Sequence, residues 1–153
     1  MARVNVGVDP RYLSDQHLIA ESVEITMITG GLRKNGYKIK SPIPEKLQLG
    51  QGHINFFKNK ILYLQSRLRS VNLELDQRGI RHSTRIILGE FPDELIWGYE
   101  PSLEDSKILR TRIYDRLLNP KKAKPGFHKF YKEPIADIGK FAEAMLNSPL
   151  YDV

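Results

Sequence analysis

The chain opens Met1-Ala2-Arg3, and initiator methionines that precede a residue as small as alanine are usually trimmed, leaving the α-amine on Ala2. An α-amine titrates at about 7.7 to 8.0, against about 10.4 for lysine, so an appreciable fraction is neutral and nucleophilic near neutral pH. Arg3, if close, would depress that value further. Nearly all terminal amines are inert, so this one gains meaning only beside a suitable partner. Glu24 is a candidate: on a helix it lies near Glu21 and His17, three and seven residues earlier. A fixed carboxylate offsets the positive charge that builds on a sugar ring as the bond at its anomeric carbon breaks. A lone glutamate is more often a solvated surface group, and residue type alone leaves both readings open.

Two further segments carry potential chemistry. Leu49-Gly50-Gln51-Gly52-His53 sets two glycines before a long apolar repeat. It lacks the Lys-Ser/Thr ending of a P-loop and the strand of a dinucleotide fold, so nucleotide binding is not expected. Backbone N–H groups at Gly50, Gly52 and His53 remain candidates for contact with a DNA phosphate. From Lys121 to Lys132, cations alternate with Phe127, Phe130 and Tyr131, a mixture that suits the bases and phosphates of a nucleic-acid strand. The same aromatics could equally plug the core. The histidines at 17, 53, 82 and 128 show no metal-ligand spacing, so neither a metal nor a cofactor is expected.

Composition bounds what the rest of the chain can be. With no cysteine among 153 residues, disulfides and thiolate metal sites are excluded, and a reducing, cytoplasmic setting is allowed. No window approaches the roughly 18 apolar residues of a membrane span, and no apolar signal segment opens the chain, so neither a membrane partner nor export is expected. An apolar share of 41% with 27% charged residues is that of a globular protein. A net charge of +6 favours polyanionic partners, although many basic proteins bind nothing anionic in particular.

The elements that must position these residues read as helices. Ala2-Arg3-Val4-Asn5-Val6 is an extended arm broken by Asp9-Pro10. Ser14 is placed to cap a first helix from about Asp15 to Lys34, whose Gly30-Gly31 pair predicts close packing there. Ser41-Pro42-Ile43-Pro44 predicts an irregular loop. Ile54, Phe57, Ile61, Leu64, Leu68, Val71 and Leu75 step by three and four and predict one long central helix ended by Gly79. Ile80 to Tyr99 reads as connection. Ser102 opens a third helix to about Leu118, and a short last helix spans about 135 to 146. The expected fold is all-α: a single compact helical domain over 1–153 with an extended N-terminal arm and long irregular loops.

Several blocks, in order, resemble the phage pyrimidine-dimer DNA glycosylase/AP lyase family, the ultraviolet-repair enzymes also called endonuclease V. They are Arg3-Val4-Asn5-Val6, Asp15-Gln16-His17-Leu18-Ile19-Ala20-Glu21, Glu24, Gly31-Leu32-Arg33-Lys34 and Leu49-Gly50-Gln51-Gly52-His53 with Phe56-Phe57 and Lys60. Arg78-Gly79, Arg112 and Lys129-Phe130-Tyr131 continue the series. The resemblance covers about 2–132 and leaves 133–153 as an additional C-terminal helical segment. It implies that the Ala2 amine attacks the sugar C1′, that Glu24 stabilises the cationic sugar and assists proton transfer, and that Arg3, Gln16 and His17 line the site. Arg33, Lys34, Arg112, Arg116, Lys129, Tyr131 and Lys132 become DNA contacts. The implied partner is lesion-bearing double-stranded DNA, bound by a monomer in the host-cell cytoplasm. Where the family carries arginines flanking the glutamate, this chain has Val23 and Met27; alanine replaces the usual terminal threonine, and Phe127-His128 a Trp-Tyr pair. A glycosylase for a different lesion, or a DNA-binding protein without turnover, are the alternatives, and the retained Glu24 argues against the latter.

Overall fold

The computed structural model describes residues 3–119, 124 and 126–153. The Ala2 amine and the Lys121-Lys122 part of the basic strip lie outside the described residues. Helix α1 spans Asp15–Lys34 as the sequence predicts, with the Ser14 hydroxyl accepting the His17 N–H at 3.2 Å. Its inner face buries Leu18, Ile25, Ile28 and Leu32 together with Glu21, Ser22 and Thr29. Helix α4, Leu103–Leu118, starts at the expected cap, where Ser102 accepts the Asp105 N–H at 3.0 Å. Helices α1 and α3 (Ile61–Gln77) pack together, as do α4 and α5 (Ile138–Leu146). A two-residue hairpin, β1 (Lys129–Phe130) with antiparallel β2 (Glu133–Pro134), is the one sheet among the described residues. No helix among them is long and apolar enough to cross a membrane.

Three expectations are corrected. The long central helix is two helices, α2 (Gln51–Phe56) and α3, because residues 57–60 turn out of the helix. Lys60 pairs with Ile96 in an isolated bridge, and the Asn59 carbonyl accepts the Trp97 N–H at 3.3 Å. Backbone groups that a continuous helix would satisfy internally are thus satisfied by the connection. The apolar repeat persists across the break because Phe57, Ile61 and Leu64 face one core. The last helix begins at Ile138, where Asp137 caps the Lys140 N–H at 3.0 Å, since Ile135 is drawn into the hairpin by donating to the His128 carbonyl at 3.3 Å. Nothing packs on Gly30-Gly31: a Cβ at either position would meet no atom within 4 Å.

The extended arm does not lie on the surface. Val4, Val6 and Val8 are fully buried, the first two against Ile25, Phe57 and Leu64, the third against Leu13, Val71 and Met145. It joins the two apolar clusters of the core. Gly7, at φ +73°, lets it pass, because a Cβ there would stand 2.6 Å from Ser106 and 2.7 Å from Leu150.

Buried arginines satisfy the loop carbonyls around this arm. Arg67 forms a paired contact with Glu21, at 2.7 and 3.0 Å, and donates to the Val8 carbonyl at 2.6 Å, with both side chains wholly buried. Arg110 donates to the carbonyls of Gly7 at 2.8 Å and Ser148 at 2.6 Å, tying the arm to the C-terminal segment. Arg78 binds Asp15 and Glu74, each at 2.9 Å, and the Leu13 carbonyl at 2.8 Å. Removing one partner of a buried pair leaves the other charge uncompensated, at about 3 to 5 kcal/mol. Arg67→Ala is therefore expected to lower unfolding free energy by about that amount in urea titrations. The Glu21→Gln/Arg67→Met double variant should lose less than the sum of the single changes.

Candidate active site

Three consecutive backbone N–H groups of the arm are received by three different side chains. Arg3 N donates to Glu24 Oε2 at 2.8 Å, Val4 N to His53 Nε2 at 2.8 Å, and Asn5 N to Glu21 Oε2 at 3.1 Å. The Asn5 side-chain amide adds a bond to Glu21 Oε1 at 2.9 Å. Glu21 and Glu24 stand three residues apart on α1, so one carboxylate points inward to Arg67 while the other sits half-buried at the helix edge. The arm's start is thereby set beside Glu24.

Charge at this edge is uneven. Burial pushes the Glu24 carboxyl up, the Arg3 amide and the Arg112 guanidinium pull it back down, and Glu21 adds to the rise. Arg112 is brought down to about 10 by burial first and then by Arg3 and Arg116. Arg3 is lowered by burial and by Arg116, against the pull of Glu24. One half-buried carboxylate thus faces Arg3 and Arg112, Arg116 stands beside both of those arginines, and His17 borders the same group. Burial, then His128, Arg112 and Arg116, hold its imidazole at about 4. Its ring stacks on His128 with centroids 5.1 Å apart, and the Ser14 hydroxyl meets the Nδ1 of both rings, at 3.1 and 3.4 Å.

The basic-aromatic strip is clipped over the start of α1. Gln16 Oε1 accepts the Lys129 N–H at 2.6 Å, and the buried Asp15 carboxylate accepts those of Tyr131 at 3.2 Å and Lys132 at 2.7 Å. Tyr131 and Lys132 form the hairpin turn at φ 52° and 69°, a conformation costly for residues with a Cβ, and the Asp15 carboxylate holds both amides there. Phe130 and Tyr131 lie against the Arg78 guanidinium, 4.6 and 5.0 Å from the ring centres, while Phe127 is half exposed. The Lys132 side chain lies over Gly79.

The other expected site residues fall into two groups. His53 is wholly buried behind the arm: its Nδ1–H donates to the Gln48 carbonyl at 3.0 Å, which leaves Nε2 free to accept from Val4. Gly50 opens α2 at φ +77° with open space around it, whereas Gly52 packs under the Gln48 side chain. Arg33 and Lys34 lie at the far end of α1, nine and ten residues beyond Glu24, or about 13 to 15 Å along the helix. Arg33 is engaged there by Glu90. Sequence reasoning did not single out Arg67, Asp15's grip on the strip or the pairing of His17 with His128. A charged residue on the inward side of the α3 repeat was the available signal for Arg67. Among the described residues no group of three or more His, Cys, Asp or Glu side chains could hold a metal ion.

The buried imidazoles predict how stability depends on pH. Burial, reinforced by Arg3 and Arg112, holds His53 at about 4, as it does His17, while an unfolded histidine titrates near 6.5. Between those values the unfolded chain binds more protons, so stability is full above about 6.5 and falls as pH drops toward 4. Each imidazole contributes a slope of up to about 1.4 kcal/mol per pH unit. Glu24, raised by burial, works in the opposite direction. Thermal melts from pH 7 to 4 should therefore show a falling Tm, with a shallower slope in His53→Gln, where an amide oxygen can still receive the Val4 N–H.

The model of the pyrimidine dimer DNA glycosylase family matches residues 1–88, more than half of the chain. That span holds the arm, α1 with Glu24, the Gly50–His53 turn and α3, while Arg112 and Arg116 on α4 lie beyond it. The chain therefore belongs to the pyrimidine dimer DNA glycosylase family and is a DNA-repair glycosylase whose substrate is DNA.

Proposed function

We propose that the chain is a bifunctional DNA glycosylase/AP lyase that acts on pyrimidine dimers in duplex DNA through the α-amine of Ala2. The observation that carries this reading is the 2.8 Å bond from the Arg3 amide to Glu24 Oε2. Residue 2 is bonded directly to that amide, and one residue spans at most about 3.6 Å. Chain length therefore confines an α-amine on Ala2 to within about 6.4 Å of that carboxylate oxygen (2.8 Å plus one residue), whereas retained Met1 would allow the amine a residue farther out.

The neutral amine attacks the sugar C1′, and the bond to the base breaks with its electron pair leaving on the base, which takes up a proton. The amine loses a proton and the sugar ring opens to an imine on Ala2. A proton then leaves C2′, the 3′ phosphate departs by β-elimination, and hydrolysis of the imine returns the amine. Glu24 has two parts in this scheme: its charge offsets the sugar cation, and its burial-raised carboxyl can carry a proton at the imine stage. Arg3, Arg112 and Arg116 supply positive charge for the phosphates on either side of the reacting sugar. Gln16 and His17 hold the wall formed by the strip. Lys129, Tyr131 and Lys132 offer contacts to the strand beyond it, and Arg33, Lys34 and the Gly50 turn are more distant contacts. The enzyme is read as a monomer, since one chain supplies every group named.

Three measurements test this reading. Borohydride reduction on duplex DNA carrying an abasic site should trap one protein per strand, with the adduct on Ala2 by peptide mass spectrometry and an intact mass lacking Met1. An adduct on a lysine, or none, would remove the amine from the mechanism. Glu24→Gln should bind the same duplex with affinity within about threefold of the parent, because one half-buried charge changes and the cationic contacts are kept, while strand cleavage falls by about a hundredfold or more. Arg116→Ala should reduce the slope of log affinity against log salt by about one unit, and an unchanged slope would take Arg116 out of the phosphate contacts.

A further inference from the structure

The outward face of α1 beside Glu24 is unusual for a protein of net charge +6. Between Gln16 and Leu32 its ionisable side chains besides His17 are Glu21, which is buried, and Glu24. Ile19, Val23 and Met27, four residues apart and so in one row, are 42%, 50% and 59% exposed. Gly30 and Gly31 continue the row as a bare backbone with open space above it. Single exposed apolar residues need no explanation, but a contiguous row marks a contact surface.

What covers this row can be read from its borders. Ile19 and Val23 line one depression with Arg81, His82, Ser83 and Thr84. On the opposite border Glu24 stands with Arg3 and Arg112. An uncharged row with Arg81 on one border and Arg3 and Arg112 beside Glu24 on the other complements a ligand with negative edges and an apolar middle. A phosphate laid on the row itself would lose water without gaining a partner, so the backbones belong on the borders and the bases on the row. Stacked bases keep their faces covered, and only an unstacked or extruded base offers one to a protein side chain. A second copy of this chain is disfavoured, because Arg81, Arg3 and Arg112 would face their own copies.

We propose that Ile19, Val23 and Met27 form the specificity-determining surface of the enzyme, contacting the apolar faces of bases unstacked at a lesion. This rests on the glycosylase/AP lyase reading above. It makes lesion choice depend on how far the damage has already disrupted stacking, with the surrounding arginines contributing affinity that is indifferent to sequence and damage.

The test compares cleavage of two duplexes of one sequence by the full chain, one carrying a single thymine dimer and one an abasic site, for the parent and for V23S/M27Q. Both positions are exposed, so the variant should melt within a few degrees of the parent. The ratio of dimer to abasic-site cleavage should fall by about tenfold or more, the range for loss of two apolar contacts. The slope of affinity against salt should be the same, since no charge changes. An unchanged ratio, or a changed salt slope, would overturn the proposal while abasic-site trapping of the parent upheld the function. A parent that traps on neither duplex would overturn both. Sedimentation of parent and variant completes the test: a parent dimer that the variant dissolves would assign the row to a second copy and overturn the proposal.

Discussion

The site depends on where the first residues of the chain are held, and one buried ion pair governs that. Glu21 and Arg67 neutralise each other where neither reaches water, and both also bind the arm, Glu21 at Asn5 and Arg67 at the Val8 carbonyl. A hydrophobic pair of similar volume could match it in stability. It could not supply hydrogen bonds to a segment whose backbone has no strand or helix to satisfy it. The polar groups therefore fix the arm's register, and the alternation of Val4, Val6 and Val8 supplies the burial that keeps it in place.

From that register follows the division of labour between two glutamates three residues apart. Just under one helical turn, about 300° of rotation, separates a carboxylate saturated by a guanidinium from one that accepts the Arg3 amide at the helix edge. The second is useful because its partners are weaker. A carboxylate that is half-buried, accepts the Arg3 amide and has arginines at its border keeps a raised affinity for a proton. Full pairing with an arginine would have removed that capacity.

The hairpin over the start of α1 is organised by the same means. Asp15 captures two amides in a strained turn, Gln16 a third, and Arg78 is shared between the Asp15 carboxylate and the two ring faces. A cation-rich segment that would otherwise repel itself is thus held in one place by buried acceptors. The two histidines stacked beneath it remain neutral at physiological pH, so the wall of the site adds hydrogen-bonding groups with no further positive charge.

The sequence by itself determined the features that rest on local physics. Ser14 and Ser102 begin helices where their hydroxyls reach an amide three residues on, and Gly79 ends α3 at positive φ. The three-four repeat located the core face of α3, and Glu24 stood out as a candidate carboxylate. Tertiary structure decided the rest, because the partners come from far along the chain: the Arg3, Val4 and Asn5 amides are received across 21, 49 and 16 residues, and Glu21 meets Arg67 across 46. The break at residues 57–60 has the same cause, since the donor to its Asn59 carbonyl is the distant Trp97 N–H. His53 reads in sequence as part of a phosphate-facing turn, yet it is buried behind the arm. Periodicity specifies which face of an element is apolar, whereas which buried polar group meets which backbone amide is set only when the chain closes on itself.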